Sequence, residues 1–147
     1  MVLPGPIGDP LIVSALLLWL ATPPSATIQV HAKALHWKSA PPTMPKGSKI
    51  AVIEGDQTKS GIFTLRIKFP QGAVVPAHWH PRPERVTVLS GRVMVGFGDV
   101  VDQTTTATFG PGDFYVNPPE AHHYVIVPVE TVVQITGEGP WETHLLE

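Results

Sequence analysis

From residue 47 onward, short runs rich in valine, isoleucine, threonine and aromatic residues alternate with turn signals built on proline or glycine. Runs of this kind are typical of β-strands, and proline and glycine supply the backbone conformations that end them. No segment in this part of the chain has the apolar spacing of a long helix. The pattern predicts strands at residues 49–54, 62–69, 74–80, 85–90, 92–98, 104–109, 113–117, 122–127 and 131–137.

Many short strands at this density predict an all-β sandwich or barrel of the jelly-roll kind. The length of 147 residues fits a single domain, and the 17 prolines and 13 glycines agree with a turn-rich β protein. We expect the barrel to occupy residues 47–147. Residues 33–46 precede it as an extended segment, because their prolines prevent a helix.

The N-terminus indicates export. Residues 11–21 form an uncharged apolar block of the length of a signal-peptide core, shorter than the roughly 20 residues that span a bilayer. Small residues suitable for cleavage place the cut after Ala32 or after Ala34, although the preceding segment has Asp9 and no basic residue. A membrane anchor or an N-terminal strand is the alternative. We assign residues 1–32 to a signal peptide and expect a secreted or periplasmic protein that does not contact a membrane afterwards.

Charge and cysteine content exclude several classes of function. The net charge is −2 and the basic residues form no long run, which argues against nucleic acid and acidic lipid as partners. The chain has no cysteine, so it has neither disulfides nor thiolate ligands nor a cysteine nucleophile. Any chemistry therefore depends on histidine, acidic residues, tyrosine and tryptophan.

Three polar residues interrupt the apolar strands near the middle of the chain. His78 and His80 share one face of their strand, because side chains alternate along it. Glu84 shares a face with Val86 and Val88, which is apolar and therefore buried. Two imidazoles and a carboxylate in an apolar interior are costly unless a divalent cation binds them. The pattern predicts a metal site.

These residues resemble the first motif of the cupins, G-x5-H-x-H-x3-E-x6-G, which runs here from Gly72 to Gly91. The second motif, G-x5-P-x-G-x2-H-x3-N, is matched in part: Gly112 and Pro118 fit, and His123 stands at the ligand position. Glu120 replaces the usual glycine of this motif, and Val127 replaces the asparagine. His122 is the alternative ligand, but His123 shares an apolar face with the valines that follow it.

The resemblance covers about residues 50 to 140 and implies a cupin jelly-roll barrel that often pairs as a homodimer. It also implies that His78, His80, Glu84 and His123 converge on one divalent transition metal inside the barrel. Such a ligand set leaves coordination positions open, as catalytic sites do. Imidazole-rich ligation outside the cell favours copper, with iron or manganese as further candidates, and the family also uses zinc and nickel.

Other conspicuous residues offer weaker hypotheses. Gln134 either reaches the cavity as an additional catalytic or ligating group or faces solvent, and Tyr115 is a second weak catalytic candidate. Trp79 and Trp141 are expected to pack between strands or subunits, with carbohydrate stacking as the alternative. His144 lies near the chain end, where we expect it to be solvated.

Three functions fit a metal-binding cupin. An oxidoreductase would use dioxygen or peroxide, a lyase or isomerase would move a proton, and a binding module would do neither. The scarcity of bases outside the ligand set favours the oxidoreductase. Export favours substrates found outside the cell, which are polymers and released aromatic molecules. The sharpest hypothesis, which the resemblance to small exported cupins implies, is copper-dependent oxidative cleavage of a plant polysaccharide such as cellulose. The alternative is a dioxygenase acting on a small aromatic molecule or diketone.

Overall fold

The structure is a computed structural model that describes residues 27–146, and these fold into eleven strands and two 3-10 turns. In chain order the strands are β1 (Lys38–Ser39), β2 (Lys49–Glu54), β3 (Gly61–Phe69), β4 (Ala73–Trp79), β5 (Glu84–Ser90), β6 (Val93–Phe97), β7 (Ala107–Phe109), β8 (Phe114–Asn117), β9 (His123–Val127), β10 (Thr131–Gly139) and β11 (His144–Leu145). The 3-10 turns lie at Ala32–Ala34 and Gln103–Thr105.

The strands form two antiparallel sheets around one hydrophobic core. The first sheet has the order β1-β2-β3-β10-β5-β8, and the second has the order β11-β4-β9-β6-β7. Neighbours in each sheet are often far apart in sequence, so the chain crosses repeatedly from one sheet to the other, as in a jelly roll. The predicted all-β jelly-roll fold is confirmed.

The core follows from the alternation of side chains along the strands. In β3 the inward side chains include Phe63 and Leu65, and in β10 they include Val133 and Ile135. Their removal from water is the main favourable contribution to folding. The other buried core residues are Ile67, Phe69, Ala73, Val75, Val86, Val88, Val93, Val95, Val125 and Val127.

The nine predicted strands correspond to β2 through β10, with ends displaced by a few residues. The largest displacement is in β7, because the side chain of Asp102 accepts hydrogen bonds from the backbone nitrogen and the hydroxyl of Thr104, at 2.9 and 2.6 Å. Such local bonds compete with strand pairing and hold a turn instead. The two-residue strands β1 and β11 are too short for a sequence pattern to predict.

Strand β4 contains an irregularity that aims a histidine inward. Its register with β9 shifts between Val75 and His78. Val75 faces the core, so strict alternation would turn His78 outward, yet Ala77 and His78 are both buried. A bulge re-aims side chains in this way. It places His78 and His80 on the inward side, as predicted, with Trp79 on the other.

The apolar block at residues 11–21, which predicts the signal peptide, lies outside the described residues. Residues 27–34, at the start of the described part, are exposed. Within residues 27–146 the structure has no helix of the length and hydropathy that crossing a membrane requires.

Candidate metal centre

The site lies where the two sheets approach each other at the ends of their strands. His78 is near the end of β4, and His80 follows that strand. His123 begins β9 and is paired directly with His78 across the second sheet. Glu84 begins β5 in the first sheet, after a turn that two prolines make rigid. Residues from both sheets therefore meet at one point.

The three histidines form one buried cluster. A single potential ligand atom from each of His78, His80 and His123 lies within 4.8 Å of those of the other two. The structure thus brings His123 to this point. His122 instead points to the surface, where its Nδ1 lies 2.6 Å from a carboxylate oxygen of Asp99.

Backbone carbonyls hold the other nitrogen of each ring. His78 Nδ1 donates to the carbonyl oxygen of Pro76 at 2.7 Å, and His123 Nδ1 donates to that of Ala121 at 2.8 Å. His80 Nδ1 donates to the carbonyl oxygen of Glu142 at 2.8 Å. Such bonds fix the tautomer, which leaves the lone pair of each Nε2 available for a metal.

Two of these Nε2 atoms are buried without a hydrogen-bond partner among the described residues, those of His80 and His123. They lie 3.8 and 3.5 Å from one carboxylate oxygen of Glu84, close but without hydrogen-bond geometry. A bare buried lone pair costs free energy that a bound cation removes. The donor set therefore fits a divalent metal.

The spacing also suits Glu84 as a ligand. Two ligand atoms that each lie about 2.1 Å from one metal are roughly 3.0 to 3.4 Å apart, depending on the coordination angle. The separations of Glu84 from the two histidines are only slightly longer. The same carboxylate oxygen accepts a hydrogen bond from Asn117 Nδ2 at 2.7 Å, which fixes its orientation.

The ionisation of these groups is also favourable for metal binding. Burial lowers the pKa of His78 to about 4, and the nearby His123 acts in the same direction. Burial lowers the pKa of His80 as well, so both rings are neutral at pH 7. Burial by itself would raise the pKa of Glu84, but contacts with His123 and His80 hold it below the usual value. Neutral imidazoles and an ionised carboxylate are the forms that bind metals.

A cavity of about 230 Å³ extends from the cluster into the barrel. It reaches His78, His80 and Glu84, so a bound metal would face it on this side. Its other walls are mostly apolar. They are Ala40, Pro41, Thr43, Met44, Ile50, Gln57, Phe63, Leu65, Ile67, Phe69, Val75, Val86, Val93, Tyr115, Val125, Val133, Ile135, Trp141, Thr143 and Leu145.

The two weaker catalytic candidates have different positions. Tyr115 lines the cavity, and burial together with the charge of Glu84 raises the pKa of its hydroxyl, which therefore stays protonated. Gln134 shares the outer face of β10 with Val132 and Thr136, and its Oε1 accepts a hydrogen bond from Arg66 Nε at 3.0 Å. Of the two alternatives for Gln134, the structure places it outside the cavity.

Several residues at the site have no signal of their own in the sequence. Asn117 holds Glu84, and the backbone of Glu142 holds His80 across 62 positions of the chain. The C-terminal segment is ordered against the site. The expectation that His144 is solvated is wrong in part, since its ring stacks on Trp79 at 4.0 Å although its side chain is still 40% exposed. Long-range pairing of this kind is invisible to local patterns.

Trp141 packs between strands, as expected. Its ring lies 4.4 Å from the ring of His80 and 5.4 Å from that of Phe63, between centroids. Its backbone nitrogen donates to the carbonyl oxygen of Gln57 at 2.7 Å. Trp141 is thus part of both the core and the cavity wall.

Sequence comparison finds plant relatives that are longer than this chain. Germin-like protein subfamily 1 member 1 of Arabidopsis thaliana is 35% identical over 80 residues, which cover 52% of this chain and 37% of that protein. The rhicadhesin receptor of Pisum sativum is 34% identical over 79 residues, with coverages of 53% and 36%. The chain spans about a third of the length of these curated relatives.

Structure comparison finds the same fold in bacterial proteins. The polyketide cyclase RemF from Streptomyces resistomycificus superposes with a TM-score of 0.70 at 13% identity, covering 83% of this chain and 87% of RemF. The oxalate decarboxylase of Bacillus subtilis, which has Mn(II) centres, gives a TM-score of 0.57 at 16% identity, with coverages of 78% and 31%. Identities this low show a common fold and no more.

The family assignment rests on the sequence as well as the fold. The family model described as the ChrR cupin-like domain matches residues 25–142, which is most of the chain. This range contains all three clustered histidines and Glu84. The chain belongs to the ChrR cupin-like domain family and, with it, to the cupin superfamily.

Proposed function

We propose that the protein is a mononuclear metal-dependent oxidoreductase that uses dioxygen to oxidise a small, mainly apolar substrate. The observation that carries the proposal is the junction of the histidine cluster with the apolar cavity at His78, His80 and Glu84. The ligand set is His78, His80, His123 and Glu84. A divalent transition metal held there supplies Lewis acidity and, for manganese, iron or copper, redox chemistry.

The cavity supports a small substrate. An apolar cavity of about 150 Å³ is large enough for benzene, so about 230 Å³ accommodates one or two rings. The walls provide few polar partners, among them Gln57, Tyr115 and Thr143. A molecule with an apolar body and one or two oxygen atoms directed toward the metal matches this distribution.

The same features make a polysaccharide the weaker candidate. A sugar polymer carries hydroxyl groups on every ring, and burying them in an apolar cavity leaves them without hydrogen bonds. Oxidation of a polysaccharide also requires an open groove at the metal. His80 and His123 are instead only 4% and 1% exposed. Small aromatic diols and β-diketones are the better candidates.

The residues near the metal favour oxidation over proton transfer. Among the titratable groups that line the cavity, His78, His80 and Glu84 belong to the proposed ligand set. Tyr115 keeps its proton, because burial raises the pKa of its hydroxyl, so it can donate a hydrogen bond to a substrate oxygen but is a poor base. In a dioxygenase reaction both oxygen atoms enter the product, and the acidic proton that a catechol or β-diketone loses on binding a metal can be released to solvent, so no further protein base is required.

The proposal also includes export from the cell, a homodimer and a metal whose identity is to be measured. Residues 11–21 carry the signal-peptide pattern that supports export, and the cupin resemblance supports a dimer. A carboxylate beside three imidazoles suits manganese and iron as well as copper. Elemental analysis and electron paramagnetic resonance of protein purified without added metal would identify the natural one.

The test is oxygen uptake by the protein loaded in turn with iron, manganese and copper. The substrates are 4-methylcatechol and acetylacetone, and cellulose with reductant or peroxide is the comparison. We expect uptake that requires both the metal and a small substrate, that His123→Ala abolishes it, and that His122→Ala retains it. Oxidised sugars from cellulose, or product formed equally well without oxygen, would overturn the proposal.

A further inference from the structure

The three histidines differ in how their rings are held. His78 and His123 each donate Nδ1–H to a carbonyl only two residues earlier in the chain, so their own strands orient them. His80 donates to the carbonyl oxygen of Glu142, which is 62 residues away. The orientation of His80 therefore depends on whether the C-terminal segment is docked.

Residues 141–146, which we name the C-terminal clamp, dock along the strand that carries His78. Within the clamp, β11 pairs antiparallel with β4, with Leu145 opposite His78. The backbone nitrogen of Leu146 donates to the carbonyl oxygen of Ala77 at 3.0 Å. Outside the cavity, the ring of His144 stacks on Trp79. The docking thus combines backbone and side-chain contacts.

The inner face of the clamp contacts His80 and closes the cavity. The Trp141 ring packs against the His80 ring at 4.4 Å between centroids, tilted by 31°. The Thr143 hydroxyl lies 3.4 Å from His80 Nδ1, beside the bond to Glu142. Trp141, Thr143 and Leu145 all line the cavity wall. One short segment therefore orients a ligand and bounds the space for a substrate.

We propose that the C-terminal clamp is a positioning element for the metal centre, in which Trp141 and the carbonyl of Glu142 set His80 and couple metal binding to closure of the cavity. The proposal rests on the proposed function insofar as His80 is a metal ligand. Partners of this kind typically change metal affinity by 10- to 100-fold. Coupling is reciprocal, so a bound metal must also stabilise the docked clamp.

The first experiment measures the affinity for Co(II), whose visible spectrum reports its coordination. Trp141→Ala removes the ring that packs on His80, and we expect a 10- to 100-fold weaker affinity with an altered spectrum. Trp141→Phe keeps an aromatic ring there and should restore most of both. Trp37→Ala is the matched control, because Trp37 contacts Lys68 on the first sheet, and it should bind as the wild type does.

The second experiment measures amide hydrogen exchange at Leu146 in the full chain. Saturation with Co(II) should slow this exchange, because the metal favours the docked clamp. Leu146→Pro removes the N–H that bonds to Ala77 at a position that does not itself line the cavity, so it tests the clamp if Trp141→Ala does not fold. We expect it to weaken Co(II) binding several-fold.

The outcomes separate the clamp from the proposed function. If the wild type binds Co(II) but Trp141→Ala or Leu146→Pro binds it equally well with the same spectrum, the clamp proposal is overturned and the metal centre stands. Unchanged Leu146 exchange on metal binding also overturns the clamp. If the wild type binds no Co(II), iron, manganese or copper, the metal-dependent function fails first, and the clamp fails with it.

Discussion

His123 and Tyr124 are neighbours in β9 and both are almost completely buried, but they differ in whether their inner polar atom has a hydrogen-bond partner. The Tyr124 hydroxyl donates to the carbonyl oxygen of Asp102 at 2.8 Å and lies 3.0 Å from the hydroxyl of Thr105. The Nε2 of His123 has no hydrogen-bond partner within the described part of the chain. The hydrogen-bonding groups of Tyr124 are satisfied within the protein, whereas His123 keeps one nitrogen free for the proposed metal.

The surroundings of the two residues show the same contrast. Around Tyr124 the backbone itself makes room for the ring, since a Cβ atom at Gly96 would overlap it. Around His123 two further imidazoles and a carboxylate are gathered with no covalent or hydrogen-bonded link among their inward atoms. We call the first region the tyrosine anchor and the second the histidine cluster. The anchor contributes to stability, whereas the cluster has the arrangement of the proposed metal site.

The largest expected effect separates binding from stability at the histidine cluster. His80→Ala should weaken metal binding by at least about 100-fold, or roughly 3 kcal/mol, and abolish turnover. The unfolding free energy of the metal-free protein should fall by about 1 to 2 kcal/mol, because removing an unpaired buried nitrogen offsets part of the lost bond to Glu142 and the lost contact with Trp141. Metal titration and urea unfolding would measure the two effects. A variant that keeps its metal would remove His80 from the ligand set.

The reverse separation is expected at the tyrosine anchor. Gly96→Ala places a methyl group where the Cζ and Oη atoms of Tyr124 lie, and should cost about 3 kcal/mol of stability. Gly110→Ala is the matched control, because its Cβ would meet only a carboxylate oxygen of Asp113 at 3.9 Å. Urea unfolding should show the loss in the first variant only. Metal affinity of the folded protein should stay within about threefold in both, and a larger loss for Gly96→Ala would join the two regions.

A smaller effect is the response of the metal-free protein to acid. Burial lowers the pKa of His78 to about 4 from its model-peptide value of 6.5, so the unfolded chain binds a proton that the folded chain does not between these values. Stability must therefore fall as the pH drops from 6.5 toward 4, by about 2.5 kcal/mol. Unfolding at several pH values checks this. His78→Gln should flatten the profile, and Tyr124→Phe, made at the anchor, should not.

The sequence is informative for the cluster because its residues violate a local rule. Histidine and glutamate on apolar strand faces are conspicuous, and the alternation of β9 distinguishes His123 from His122. Nine strands were predictable for a related reason, since apolar alternation and turn residues are local signals. Fold class and the candidate ligands could thus be read from short windows.

What the sequence could not reveal depends on distant contacts. The bulge in β4 lies in its pairing with β9, so the alternation of residues within β4 does not predict it. Asn117 and Glu142 reach the site across 33 and 62 positions of the chain, and the latter acts only through its backbone carbonyl. The sequence left open whether Gln134 faces the cavity or solvent, because valine occurs on both the inner and the outer face of β10.

The smallest expected effect concerns the turn between β8 and β9, which lies against the end of β4 that carries the other two histidines. Glu120 has a φ of 61°, and among residues 27–146 it is the only residue other than glycine with a positive φ. Its backbone nitrogen donates to the carbonyl oxygen of His80 at 2.8 Å, and the next carbonyl, of Ala121, holds His123. The left-handed conformation is therefore required by the site, at the position where related motifs have glycine.

Glu120→Gly should relieve this strain. A side chain in the left-handed region costs roughly 1 to 2 kcal/mol, which glycine avoids. Glycine in turn loses more conformational entropy on folding, which costs about 0.5 to 1 kcal/mol. We expect a net gain of about 0.5 kcal/mol in urea unfolding, with metal affinity unchanged. Glu120→Ala removes the same carboxylate but keeps the Cβ atom, so it should gain nothing. If the alanine variant gained as much stability as the glycine variant, the source would be the exposed charge of Glu120 rather than its backbone conformation. The histidine cluster would then impose no strain on this turn.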